Sequence, residues 1–212
     1  MKRSTKLFFD ILMGAVVPIL ILSYLTGPLG APLAYLVAAL VPVAWVFADL
    51  LLITRRFNAI TSYIGLSAIV RGALAFWFVD GWLFALKDSA GQMVAALVFA
   101  GSVLAGWPIM RAFLAQTLSP DTPERERALE SLLAEPPVAR ALVTSTLLVG
   151  AWNIVSGALN FLLNLRIVTA PFGTELFNQQ VAQVNAITRI ALLLPDFAAV
   201  GVAFWLLFRA LY

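Results

Sequence analysis

Eight polar or ionisable side chains interrupt the apolar runs of this chain: Asp49, Arg71, Asn153, Asn160, Asn164, Asn185, Arg189 and Asp196. At about 100° per residue, Thr146, Asn153, Asn160 and Asn164 fall within about 20° of one line along a helix. The same arithmetic places Asn178, Asn185, Arg189 and Asp196 within about 20° of a line on a second helix. Exposed to lipid, such groups cost on the order of 3 kcal/mol each, so both lines are expected to face protein or a watery cleft. Two kinds of chemistry fit them. Asparagines at this spacing hydrogen-bond helices together, and the same residues can line a pathway for an ion or a ligand. Arg71 supplies a fixed cation near the centre of its apolar run, and Asp49 and Asp196 supply carboxylates. An ion pair of Arg71 with Asp196 or with Asp49 is the expectation, acting as a register-fixing pair or as a proton or ion relay.

Other chemistry is thinly supplied. The chain has no cysteine and no histidine, which removes disulfides, thiolate ligands, the commonest metal ligand and the commonest general base. There is no Gly-rich phosphate loop. Asp80-Gly81 continues as Trp82-Leu83-Phe84, so the Asp-Gly-x-x-Ala-Arg pattern of lipid-headgroup transferases is missing too. No catalytic residue, metal or cofactor is expected, and a lipid-modifying enzyme is the weakest of the readings.

The elements that must position these groups are apolar helices. Of the 212 residues, 62% are apolar and 12% charged, and the mean hydropathy is +0.94. A soluble domain is about 25% charged. Runs such as Ile11 to Leu25 lack the period-two alternation of a membrane barrel strand. The fold class expected is therefore all-α: one polytopic membrane domain, residues 1–212, of six transmembrane helices at about 7–26, 33–54, 59–79, 91–111, 138–163 and 186–211, with no internal repeat. The first stretch is long, contains Asp10 and Pro18, and has no clear small-x-small cleavage site, which reads as a retained helix.

Lys2, Arg3, Lys6, Arg55, Arg56, Arg111, Arg125, Arg127, Arg140 and Arg209, ten of the fourteen basic residues, fall on one side of this arrangement. By the positive-inside rule that side is cytoplasmic and holds both termini. The net charge of +3 calls for anionic lipid headgroups as counter-charge, with no nucleic-acid partner.

Between the fourth and fifth spans, residues 111–140 carry five of the eleven acidic residues: Asp121, Glu124, Glu126, Glu130 and Glu135. A cytoplasmic amphipathic helix is expected at about 123–134, capped by Thr122, opened by Pro123 and stopped by Pro136-Pro137, with Leu129, Leu132 and Leu133 as its apolar face. It lies against the membrane or the bundle, or docks a partner. Further on, the chain is expected to become helical from Thr174, so that the sixth helix projects beyond the bilayer. In the fourth span Ala96, Ala100, Gly101, Ala105 and Gly106 permit close helix approach, and Pro108 beside Trp107 kinks or ends it.

Several short motifs carry a resemblance. Phe8-Phe9-Asp10, Lys87-Asp88-Ser89 before the fourth helix, Phe99-Ala100-Gly101, Trp107-Pro108-Ile109-Met110 and Gly157-Ala158-Leu159-Asn160 resemble intracellular septation protein A and related six-helix bacterial membrane proteins of unassigned function. The likeness covers most of residues 7–165 and fades in the last fifty. It implies a multi-pass protein of the bacterial inner membrane, linked to cell-envelope maintenance or division, with envelope or division proteins or a second copy of itself as partners. Lys87, Asp88 and Pro108 match the family pattern, with no role attached. The expected function is thus non-enzymatic envelope maintenance. The alternative is a small transporter, channel or lipid-moving protein using the polar face between the fifth and sixth helices.

Overall fold

In the computed structural model, residues 8–54, 59–118 and 122–211 are described, and every element among them is helical. A π-helical stretch Leu12–Val16 leads into α1 (Val17–Tyr24), followed by a single turn, Thr26–Leu29. Then come α2 (Ala31–Ala48) with a π-helical extension Asp49–Thr54, α3 (Ala59–Ala75), α4 (Gly81–Leu104), α5 (Ile109–Leu118), α6 (Pro123–Ala134), α7 (Pro136–Ile167), α8 (Glu175–Ala191) and α9 (Leu193–Leu211). Four stretches are long and apolar enough to cross a membrane: Ala31–Ile53, Gly81–Leu104, Pro136–Ile167 and Glu175–Leu211. Phe8–Tyr24 is a shorter apolar helix. Lys2, Arg3, Lys6, Arg55, Arg56 and Asp121 lie outside the described residues.

Helix boundaries follow local chemistry that hydropathy alone does not register. The fourth helix was expected at 91–111, but α4 starts at Gly81 and stops at Leu104, so Lys87-Asp88-Ser89 lies inside the helix rather than before it. Its end is a Schellman cap: Gly106 is left-handed (φ 73°), Gly106 N–H donates to the Val103 carbonyl and Trp107 N–H to that of Ser102, each at 2.9 Å. Ser102 Oγ then accepts from Ile109 N–H at 3.1 Å, which starts α5 directly after Pro108. The third helix ends at Ala75 rather than 79, and the sixth is two helices, α8 and α9, meeting at Leu192.

Capping expectations agree with the structure. Thr122 Oγ1 accepts from Arg125 N–H at 3.3 Å with Pro123 in the first turn of α6. Glu135 is extended (ψ 136°), as a residue before proline prefers, and its carbonyl accepts from Ala139 N–H at 2.8 Å to open α7. Thr174 Oγ1 accepts from Phe177 N–H at 3.1 Å, so α8 begins ahead of the expected sixth span.

The helices gather into two compact units, and α4 and α7 contribute to both. Unit 1 comprises the chain up to Gly91 together with Gly157–Leu192. Its core joins Ile21 and Leu22 of α1, Ala34, Tyr35 and Ala38 of α2, Phe84 of α4 and Phe177, Val181 and Val184 of α8. Tyr35, Phe84, Phe172 and Phe177 interlock edge to face, with ring centroids 5.0–6.3 Å apart, a geometry contributing about 1 kcal/mol per pair. Unit 2 comprises Gln92–Ser156 and Leu193–Tyr212. There Phe99, Met110, Leu114, Leu133, Val138, Leu142, Val149, Ala203 and Leu207 form the core, so the apolar face of α6 packs on its own unit through Leu133.

Candidate polar site in unit 1

The residues singled out by sequence divide between the two units. Asn153 and Asp196 belong to unit 2; Asp49, Arg71, Asn160, Asn164, Asn185 and Arg189 belong to unit 1. In unit 2, Asn153 Nδ2 donates to the Val149 carbonyl at 2.8 Å within its own helix. Asp196 accepts from the indole N–H of Trp152. Thr146 Oγ1 donates back to the Leu142 carbonyl at 2.7 Å, and Ser145 Oγ donates to that of Ala203 at 2.9 Å, tying α7 to α9.

Unit 1 assembles something different. On α7, Asn160 and Asn164 face Asp88 and Ser89 of α4. Asn160 Nδ2 and Asn164 Nδ2 both donate to Asp88 Oδ2, at 2.9 and 2.8 Å, and Asn160 Nδ2 lies 3.2 Å from Ser89 Oγ. Spacing of four residues puts the two amides on one face, where they can converge on a single acceptor. The two amides thereby tie α7 to α4 through one carboxylate oxygen. Ser89, Asn160 and Asn164 are buried, whereas Asp88 itself is exposed.

Lys87, Arg71 and Arg189 belong to the same unit as this carboxylate. Lys87 is only 6% exposed; its Nζ donates to the Trp77 carbonyl at 2.7 Å and sits 4.9 Å from the Tyr35 ring and 5.3 Å from that of Phe84. Its alkyl stem covers apolar surface while the ammonium reaches polar and π acceptors, which is how a lysine is accommodated seven residues into an apolar helix. Arg71 of α3 lies against α4 at Gly91: a Cβ added there would meet Arg71 Nε at 3.3 Å and Nη2 at 3.4 Å. Arg189 of α8 donates through Nη1 to the carbonyl of Gly14, in the π-helical stretch of the first helix. Both Arg71 and Asp88 are close enough to act electrostatically on the Arg189 guanidinium. π-helical turns release carbonyls from the regular ladder and recur at functional sites.

Arg71 stands beside Gly91, and in unit 2 Asp196 accepts from Trp152. Asp49 opens the π-helical extension of α2 and is half-buried. Asn185 is half-buried on α8, its carbonyl accepting from Thr188 Oγ1 at 3.4 Å. Asn178, on the same line, is fully buried and donates to the Ala31 carbonyl at 2.8 Å and to Thr26 Oγ1 at 3.0 Å, pinning α8 to the turn between α1 and α2. Pro108 lies at the α4–α5 junction of unit 2.

Sequence reasoning missed Tyr35, Ser89, Gly91 and Gly14. The signal within reach was the Asn160/Asn164 pair, whose i, i+4 spacing asks for one shared acceptor. Among the described residues, three buried polar atoms have no hydrogen-bond partner: Asn164 Oδ1, Asn178 Oδ1 and Arg189 Nε. A separate open groove of about 330 Å³ lies between α1 and α8, lined by Ile19, Ser23, Gln179, Ala182, Gln183 and Ala186, none of them charged. Among the described residues, no group of three or more His, Cys, Asp or Glu is placed to hold a metal ion. No family model, curated protein or solved structure matches this chain.

Proposed function

We propose that this is a multi-pass protein of the bacterial inner membrane, with six spans and both termini cytoplasmic, that binds and moves a small polar solute through unit 1. The observation carrying this reading is the Asp88 carboxylate, clamped by Asn160 and Asn164 yet exposed on its other side. Asp88 lies about 10 Å along α4 from Gly81, taking 1.5 Å per residue. Within a bilayer an exposed carboxylate and an exposed guanidinium, Arg71, would need water beside them, because lipid contact costs several kcal/mol per charge. The protein has no catalytic role in this reading: the site in unit 1 supplies fixed charges and amide donors, the means by which a solute's hydration shell is replaced.

The test is flux in sealed liposomes containing the purified chain, using protons, monovalent cations, inorganic phosphate and labelled lipids in turn. Flux of one of these above empty liposomes, lost in Asp88→Asn, supports the proposal. Flux of none, or flux that Asp88→Asn leaves unchanged, overturns it.

A second reading is favoured by unit 2, where Ser145, Thr146 and Asn153 donate to backbone carbonyls and Asp196 accepts from Trp152. Under it the protein is of septation protein A type, maintaining the cell envelope or its division through contacts with envelope membrane proteins or with a second copy of itself. Co-purification of one defined envelope partner from cross-linked cells, undisturbed by Asp88→Asn, is the outcome this reading requires.

A further inference from the structure

Pro18 lies one turn beyond Gly14 in the first helix and has no backbone N–H to give. In an α-helix the Gly14 carbonyl accepts from that position, four residues on, so proline deprives it of its regular donor. The helix gives way locally: Leu12–Val16 is π-helical, and Val17 N–H donates five residues back, to the Leu12 carbonyl. In lipid a carbonyl freed by proline has to be satisfied from a neighbouring helix. Arg189 of α8 supplies that donor through Nη1.

The two sides of this turn are held differently. Beyond it Pro18, Ile21 and Leu22 are buried in unit 1, and Asn178 of α8 donates to Thr26 Oγ1 at 3.0 Å and to the Ala31 carbonyl at 2.8 Å. Before it Phe8 and Ile11 are exposed, and Trp45 of α2 donates to Asp10 Oδ1 at 2.9 Å and stacks on Phe9 with centroids 5.7 Å apart. Gly14 and Thr26 are about 18 Å apart along the first helix, and Arg189 and Asn178 about 17 Å apart along α8, at 1.5 Å per residue. The two bonds thus tie antiparallel helices at matching heights, with the open groove beside Ile19, Ser23 and Ala186 between them. One tie sits in packed core, and the other sits on the turn where proline and glycine weaken the helix.

We propose that the first helix is hinged at Gly14–Pro18 and that Arg189 is its latch. With the Gly14 bond made, the segment ahead of the turn lies against α8; with it broken, that segment swings on Trp45 and the groove extends from Ala186 to Arg189. Proline and a π-helical turn are recognised causes of helix bending, and glycine adds backbone freedom at the same place. The hinge is independent of any solute carried by unit 1.

Because the chain has no cysteine, Ile11→Cys with Leu176→Cys, both at exposed positions, places two spin labels without background. Distances between them are measured by pulsed electron paramagnetic resonance on full-length protein in lipid nanodiscs. Wild type is expected to give one dominant distance. Arg189→Gln should add a second, longer one, raising the open fraction about threefold or more, as loss of one hydrogen bond within a membrane implies. Pro18→Ala restores the N–H that Gly14 lacks, so Pro18→Ala combined with Arg189→Gln should return to one distance. Thr188→Ala, whose hydroxyl bonds only within α8, should behave as wild type. The combined variant guards against misfolding, since a chain unfolded by loss of the arginine would not recover when a proline is removed from another helix. Only the wild-type distance in Arg189→Gln, or a second distance that Pro18→Ala does not remove, overturns the proposal.

Discussion

Removing Asn164 should uncouple α7 from α4 by an amount that the geometry bounds. Asn164 Nδ2 lies 2.8 Å from Asp88 Oδ2, and Asn160 Nδ2 lies 2.9 Å from the same oxygen but also 3.2 Å from Ser89 Oγ. A hydrogen bond to a charged group contributes about 1.5–3 kcal/mol in a soluble core. Within membranes, cycles of paired mutations average about 0.6 kcal/mol and reach about 1.7, and the exposure of Asp88 screens it further. The coupling expected between Asn164 and Asp88 is therefore about 1 kcal/mol, and between Asn160 and Asp88 about 0.5 kcal/mol because Asn160 shares its donor group. The assay is a double-mutant cycle of Asn164→Ala, Asn160→Ala and Asp88→Ala, read by reversible unfolding in mixed micelles with a denaturing detergent. Coupling under about 0.3 kcal/mol for both pairs, within the usual error of additivity, would refute the idea that the asparagines exist to hold this carboxylate.

Two further outcomes follow from unit-specific packing. Gly150→Ala places a Cβ 3.2 Å from Phe99 Cβ, a position that only a shift of the helix can relieve, whereas Gly101→Ala meets nothing within 4 Å. Both gain about 1 kcal/mol of helix propensity, so Gly101→Ala should raise thermal stability and Gly150→Ala should lower it relative to Gly101→Ala; equal midpoints would contradict the packing of α4 against α7 in unit 2. Asn178→Ala strips the Ala31 carbonyl of its side-chain donor and should cost about 1–3 kcal/mol, seen as faster hydrogen exchange at the start of α2; unchanged exchange there would mean the bond adds nothing.

Composition determined that this chain is helical and apolar. With 62% apolar residues and runs beyond twenty residues, backbone groups can be satisfied in lipid only within helices once strand alternation is absent. Local capping was equally legible, because Thr122 and Thr174 accept from amides three residues on and Pro123 acts through its fixed φ. The i, i+4 spacing of Asn160 and Asn164 announced a shared polar face on one helix. Which group that face would meet was not in the spacing. Asp88 lay in a polar triplet that hydropathy assigns to a loop, and it entered α4 because Lys87 could bury its stem against Tyr35 and Phe84 and because Ser89 could hydrogen-bond inside. Asp88 meets its two amides across 72 and 76 positions of chain, so only the tertiary packing of α4 and α7 decided that Asn160 and Asn164 converge on it, as that of α7 and α9 decided that Asp196 meets Trp152.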